Sequence, residues 1–400
     1  MAAPSLALIP SAYKVGKVAS VKPMNGKGDF TFTRNSEATR INENGIIETM
    51  GVDVPRIDHT DGGCPSLLLE PASTNLIEYS EDFGDSYWSK IGTTVAPTEV
   101  SSPINNLTAS KLEATSTNQP RLEKSMPVPS TDTTYTWSVY AKKGNSDFVA
   151  LSRFSGSHNA VFNLADGTLV SEAGTLSTSI EDTSNGWYRV SMTILSTPSD
   201  SNNIFKVNLT DGSSYSSGVI GEYIYIWGAQ LEALSYATSY IPTDGTAVTR
   251  AAEVCGGAGN ASTFNSAEGV LYVEVAALSN DLSYRILSLS DGTVNERVYM
   301  QYTDVSNTIA VVVKEDDVTQ ANMSYVLSDE VAFSKIAIKW KVNDFALWVN
   351  GSERATDTSG DTPIGLNSLQ FDDGNSGNNF YGKTKQVQVF KTALTDAELI

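Results

Sequence analysis

Ser334-Lys-Ile-Ala-Ile-Lys-Trp-Lys-Val342 sets Ile336, Ile338, Trp340 and Val342 at alternate positions, with Lys335, Lys339 and Lys341 among the positions between them. Successive side chains of an extended chain point to opposite faces, so a period of two makes a strand with one apolar and one solvated face. Tyr135-Thr-Trp-Ser-Val-Tyr-Ala141 alternates in the same way. Further runs lie at Phe148 to Phe154, Trp187 to Ile194, Glu222 to Trp227, Val270 to Ala276, Arg297 to Tyr302, Thr308 to Lys314, Phe345 to Val349 and Lys385 to Phe390. Asn or Asp precedes Gly at Asn44-Gly45, Asp166-Gly167, Asn185-Gly186, Asp211-Gly212, Asp291-Gly292, Asn350-Gly351 and Asp373-Gly374. Such pairs supply the positive φ that tight turns need.

Short strands at this spacing, with no long amphipathic helix and no βαβ alternation, predict an all-β chain of antiparallel sandwiches or jelly rolls. The one helix start is Thr395-Asp-Ala-Glu398, where a Thr cap and a Glu three residues on can satisfy each other's orphan donors.

Of 400 residues, 27 are basic and 46 acidic, a net charge of −19. Residues 1–75 are near neutral, and the acidity belongs to the rest. A phosphate backbone or an anionic membrane surface is repelled by such a chain, so neither nucleic acid nor membrane is expected as a partner. Cys64 and Cys255 give no disulfide framework and no zinc pattern, and are read as two small buried residues. His59 and His158 sit in no hydrolase or metalloprotease motif. The start has no basic segment before its short apolar run, so synthesis in the cytoplasm without the usual export signal is expected.

The Gly-rich, aperiodic stretch from Asp244 to Phe264 reads as a linker. Three parts follow: an extended arm over 1–75, a jelly roll over 76–250 and a second sandwich over 260–400.

Three sets of motifs carry a resemblance. Gly28-Asp-Phe-Thr-Phe-Thr-Arg34 through Arg40, Pro55-Arg56-Ile-Asp58 and Leu67-Leu-Leu-Glu70-Pro71 with Thr74-Asn75-Leu76 resemble a module of structural proteins of tailed bacteriophages. Tyr79-Ser-Glu-Asp-Phe83, Gly186-Trp-Tyr-Arg-Val-Ser191 and Ile226-Trp-Gly-Ala-Gln-Leu-Glu232 resemble the carbohydrate-binding-like jelly roll of the same proteins. Phe345-Ala-Leu-Trp-Val-Asn-Gly351 and Gly382 to Phe390 running into Leu399 resemble concanavalin A-like, laminin G-like lectin sandwiches. The resemblance implies a virion protein of fibre, spike or head-decorating type. Its arm would pack on other virion proteins, its sandwich loops would meet host surface glycans, and it would form a homo-oligomer, with a trimer favoured. A purely architectural protein and a free glycan-binding or polysaccharide-degrading protein are the alternatives.

Candidate residues follow from chemistry. A flat aromatic face stacks on the apolar face of a pyranose, and Tyr140, Tyr223, Tyr225, Trp348 and Tyr381 are placed to do so if they point outward. The five strand tryptophans Trp137, Trp187, Trp227, Trp340 and Trp348 are better read, for the most part, as core. Phe371-Asp-Asp-Gly-Asn-Ser-Gly-Asn-Asn-Phe380 is rich in oxygen donors, which makes Asp372 and Asp373 calcium candidates. A glycosidase needs two carboxylates across a cleft, and no strand carries an alternating acidic pattern, so the chain is read as a non-enzyme.

Overall fold

In a computed structural model of the chain, residues 2–98, 100–154 and 157–399 are described. The all-β expectation holds: the described residues form antiparallel sheets, with one short helix, Asp396–Leu399. Strand limits follow the alternation closely, as in Ser334–Lys341, Arg297–Tyr302 and Phe345–Val349. Each Gly of the seven Asn-Gly and Asp-Gly pairs has positive φ, from 72° at Gly167 to 96° at Gly292 and Gly374. The expected helix cap is present, since the Glu398 carboxylate accepts the Thr395 N–H at 3.1 Å and its hydroxyl at 3.0 Å.

Two compact units divide the chain. One holds residues 1–37, 50–71 and 251–400, the other 38–49 and 72–250. In the first, an eight-stranded sheet runs in the order Ser352–Asp357, Phe345–Val349, Ser334–Lys341, Glu268–Ala277, Gly382–Phe390, Ser66–Leu69, Arg56–Asp58, and Leu6–Leu8 also pairs with Gly382–Phe390. A five-stranded sheet, from Val318–Val326 to Ser368–Gln370, lies opposite it. Leu271, Val273, Ile336 and Trp340 of the larger sheet share one core with Leu287, Val298, Met300 and Val311 of the smaller. Apolar faces of two sheets meeting in one core make this unit a sandwich.

The second unit packs two six-stranded sheets. One runs from Ser89–Ile91 to Thr168–Ala173, the other from Thr93–Pro97 to Ser177–Asp182. Trp137, Val139, Val190 and Ile224 meet Leu122, Leu151, Phe162 and Phe205 between them. On the far side of the second of these sheets, Tyr140, Trp187, Trp227 and Tyr240 form a separate aromatic cluster with Ile47 and Ala109.

Residues 1–75 do not form the expected arm. They are shared between the units: Leu6 pairs with Val389, Phe30–Thr33 with Val254–Gly256, and Ser73–Asn75 with Val248–Arg250. The latter two pairings also place strands inside the stretch read as a linker. These strands are three or four residues long and find partners more than 150 positions away, so no local periodicity announces them. Cys255 is buried as expected, but Cys64 is exposed.

Candidate functional site

The residues singled out for sugar stacking separate by burial. Tyr140 is 3% exposed, packed edge-on against Trp227 at 5.3 Å, and Trp348 is 6% exposed in a cluster with Val270, Ala346 and Leu394. Both are core residues and are withdrawn as glycan contacts. Their strands carry apolar side chains on both faces because a second layer of chain covers the outer face, which a single strand's pattern does not reveal.

Tyr223 and Tyr225, two apart on the strand Tyr223–Glu232, stay partly exposed on one face with their rings edge to face at 5.6 Å. The Lys111 ammonium sits 4.3 Å from the Tyr223 ring centroid and pairs with Glu113, whose hydrogen bond holds the lysine above its usual value. That ring face is therefore already occupied. Tyr381 is half-buried, and burial pushes its hydroxyl up against the opposing effect of a hydrogen bond with Asn379.

Asp372 and Asp373 build a turn. An Asp372 oxygen accepts the Gly374 N–H at 2.7 Å, while Asp373 Oδ1 accepts the N–H groups of Asn375 at 3.0 Å and Gly377 at 2.9 Å. Burial raises the Asp372 carboxyl above its ordinary value. Both carboxylates therefore brace the loop from within. Among the described residues no group of three or more His, Cys, Asp or Glu could hold a metal.

A charged cluster that the sequence reading missed lies in the first unit. Arg34, Arg56 and Glu253 have fully buried side chains and Glu70 nearly so. Glu253 accepts Arg34 Nη1 at 2.7 Å and Arg56 Nε at 2.8 Å, while Arg56 Nη1 donates to Glu70 at 2.7 Å. Burial works to lower the Arg56 pKa, but the two carboxylates outweigh it and raise it. Sealed from solvent, this network offers no ligand site. It explains the motif Arg34, Arg56, Glu70 as a device that joins distant parts of one unit.

An exposed, cross-braced site lies at one end of the same unit, where three loops meet: 278–284, 303–307 and 327–333. Asn280 Nδ2 donates to Ser306 Oγ at 2.6 Å, and Asn307 Oδ1 accepts the Glu330 N–H at 3.1 Å. The Asn307 carbonyl accepts the Leu327 N–H at 2.7 Å, and Arg285 pairs with Asp281 at 2.7 Å. Braced in this way, the loops expose Leu282, Tyr284 and Val305, at 51%, 45% and 59%. Leu282 has a φ of 61°, a conformation costly for a side chain with a Cβ and one that collects at functional sites. A hydrogen bond to Asp304 holds the Tyr284 hydroxyl above its usual value. Below the surface, Glu330 is 2% exposed with Oε2 unpartnered, and burial raises its carboxyl. An aromatic ring ringed by amides, a hydroxyl and carboxylates matches the two needs of a sugar, a flat apolar contact and directional hydrogen bonds. Tyr284 was passed over because it falls outside the alternating runs; the polar, aperiodic Asn280-Asp-Leu-Ser-Tyr284 between two strands was the available signal.

No protein-family model matches the chain, and no curated protein does. Similar solved structures include the NanB sialidase from Streptococcus pneumoniae, at 17% identity over 35% of this chain and 24% of that one, TM-score 0.30. The heptameric SAP-like pentraxin from Limulus polyphemus matches at 12% identity over 34% and 68%, TM-score 0.28. Domains LG4-5 of the mouse laminin alpha1 chain match at 10% identity over 72% and 93%, TM-score 0.24. The chain spans about a quarter of the length of the NanB sialidase. Sialidases among the neighbours remove the ground for reading the chain as a non-enzyme, and that expectation is withdrawn. Likeness at these scores assigns no activity in either direction. The layered antiparallel sheets make each of the chain's two units a β-sandwich.

Proposed function

We propose that the chain is a glycan-adhering structural component of a tailed-bacteriophage particle, a fibre, spike or head decoration. The braced loop end of the first unit is the contact surface. One observation carries the adhesion reading: three separate loops, one closing a hairpin and two passing between the sheets, are cross-linked through Asn280 and Asn307 and hold Leu282 and Tyr284 out to solvent, Leu282 in a strained conformation. Exposure maintained against strain favours a ligand over chance. The virion reading rests on the joint order of the motifs around Arg34, Trp187 and Trp348, which resembles that of phage structural proteins. Single-site affinity would be low and raised by multivalency on the particle.

Binding of the full chain to host-surface polysaccharide, measured by biolayer interferometry, tests the site. Tyr284→Ala removes a stacking contact worth about 1 kcal/mol, so affinity should fall about fivefold while the melting temperature is unchanged. Unchanged affinity in Tyr284→Ala overturns the assignment of this site. Release of new reducing ends by the chain would replace adhesion with turnover. Gold-labelled antibody against the full chain should decorate purified particles, and protein free in the lysate with bare particles would defeat the virion reading.

A further inference from the structure

The chain is anionic nearly everywhere except near its first residues. Residues 1–28 carry Lys14, Lys17, Lys22 and Lys27 and no carboxylate, whereas residues 29–400 hold 23 basic and 46 acidic side chains. This segment folds back as a hairpin. Ala7 bridges Lys22, the Ala19 N–H donates to the Ala12 carbonyl at 3.0 Å, and Tyr13–Lys14 pairs with Lys17–Val18 around Gly16, whose φ of 76° closes the turn. Tyr13–Lys14 is the edge strand of its sheet. Ile9, Val15, Val21 and Met24 are exposed, Val15 at 69% and Met24 at 93%. Among the described residues none of the four lysines pairs with a carboxylate. Exposed apolar side chains among unpaired ammonium groups along an open strand edge have the composition of an interface.

The same unit carries the complement, at the end of its sandwich away from Tyr284. Glu296 ties two loops there, accepting the Asp316 N–H at 2.7 Å and the Ile364 N–H at 2.6 Å, and the Asn343 side chain accepts the Gly360 N–H at 3.1 Å. Asp316 and Asp361 are exposed on this end beside Val318, Val342 and Ile364, exposed at 59%, 47% and 65%.

We infer that the basic hairpin of one copy of this chain docks on the acidic, apolar end of a second copy. Opposite charge and matched apolar anchors are both present on the chain itself. An anionic membrane or a nucleic acid would have to approach a body of net charge −19, which repels it. A contact between unlike patches gives a ring where its rotation closes and an open filament where it does not.

Sedimentation velocity of the full chain at about 0.1 M and about 1 M salt reads the contact, because the Debye length falls from about 10 to about 3 Å over that range. Self-association at low salt, weakened about tenfold or more at high salt, is expected. The triple variant K14E/K17E/K27E changes only exposed side chains outside any ion pair and should keep its melting temperature while sedimenting as a monomer. Adding D316K and D361K on the opposite patch should restore association. A wild-type chain that is monomeric at both salts, or association that survives K14E/K17E/K27E, overturns the inference. So does a charge swap that fails to restore it. A monomeric chain that binds anionic vesicles or duplex DNA overturns it in favour of that partner.

Discussion

Replacing Glu253 tests whether the buried network holds the first unit together. The carboxylate faces four donors: Arg34 Nη1 at 2.7 Å, Arg56 Nε at 2.8 Å, Arg56 Nη2, and the Glu70 N–H at 2.9 Å. In Glu253→Gln the shape is kept, but the new amide nitrogen must face two of those donors whichever way it turns. Two guanidinium groups with no solvent exposure then lose a counter-charge. Arg34 retains the carbonyls of Ser36, Met50, Val54 and Gly51, and Arg56 retains Glu70, so coordination survives while charge balance does not. Removing one partner of a buried ion pair costs about 3–5 kcal/mol. For a unit of this size, a loss of 1 kcal/mol lowers the melting temperature by about 2–4 °C, so the transition of this unit should fall by roughly 6–20 °C in scanning calorimetry. Lys383 and Asp61, a part-exposed pair at 2.8 Å, serve as the contrast. Asp61→Ala should cost no more than about 1 kcal/mol. If Glu253→Gln falls within the range of Asp61→Ala, burial of the network does not decide stability and the role assigned to the Arg34 motif is wrong.

Gly269 lies on the strand Glu268–Ala277, and a Cβ there would meet the Trp340 ring at 2.4 Å and the Phe390 carbonyl oxygen at 2.7 Å. Gly269→Ala should therefore cost about 1–3 kcal/mol by overpacking, read as a lower urea midpoint at unchanged slope. Glu330 titrates above its ordinary value because burial disfavours its charged form. A raised folded-state value means that its stabilising contribution is full below the unfolded-state pKa, about 4.3, and is lost as pH rises through the folded value. Glu330→Gln should flatten the fall in stability over that window, as measured by urea unfolding from pH 4 to pH 7, and an unchanged pH profile would show that Oε2 finds its partner in water.

How legible the molecule was depended on the range of the interactions. Alternation at Ser334 to Val342 and the turn pairs such as Asp291-Gly292 are local, and the strand limits and positive φ values follow them. Facing direction is not local. Tyr140 and Tyr223 both sit in alternating runs, yet one is sealed against Trp227 and the other reaches the surface, because Ile41, Ile47, Val100, Ile104 and Ala109 cover only part of that sheet face. The buried charge network stayed hidden for the same reason. Arg34 and Glu253 stand 219 positions apart, and each alone has the appearance of an ordinary solvated side chain. Residues 1–75 are near neutral, with several Gly and Pro and only short apolar runs, so their composition describes an arm. What buries them is pairing with strands near residues 254 and 389, supplied by chain far along the sequence. A segment rich in glycine and short strands is therefore an arm only if nothing distant in the sequence offers an open sheet edge to receive it. Here one edge of Gly382–Phe390 receives both, Leu6–Leu8 along Val387 to Val389 and Ser66–Leu69 along Gly382 to Thr384, while Glu268–Ala277 takes the other edge.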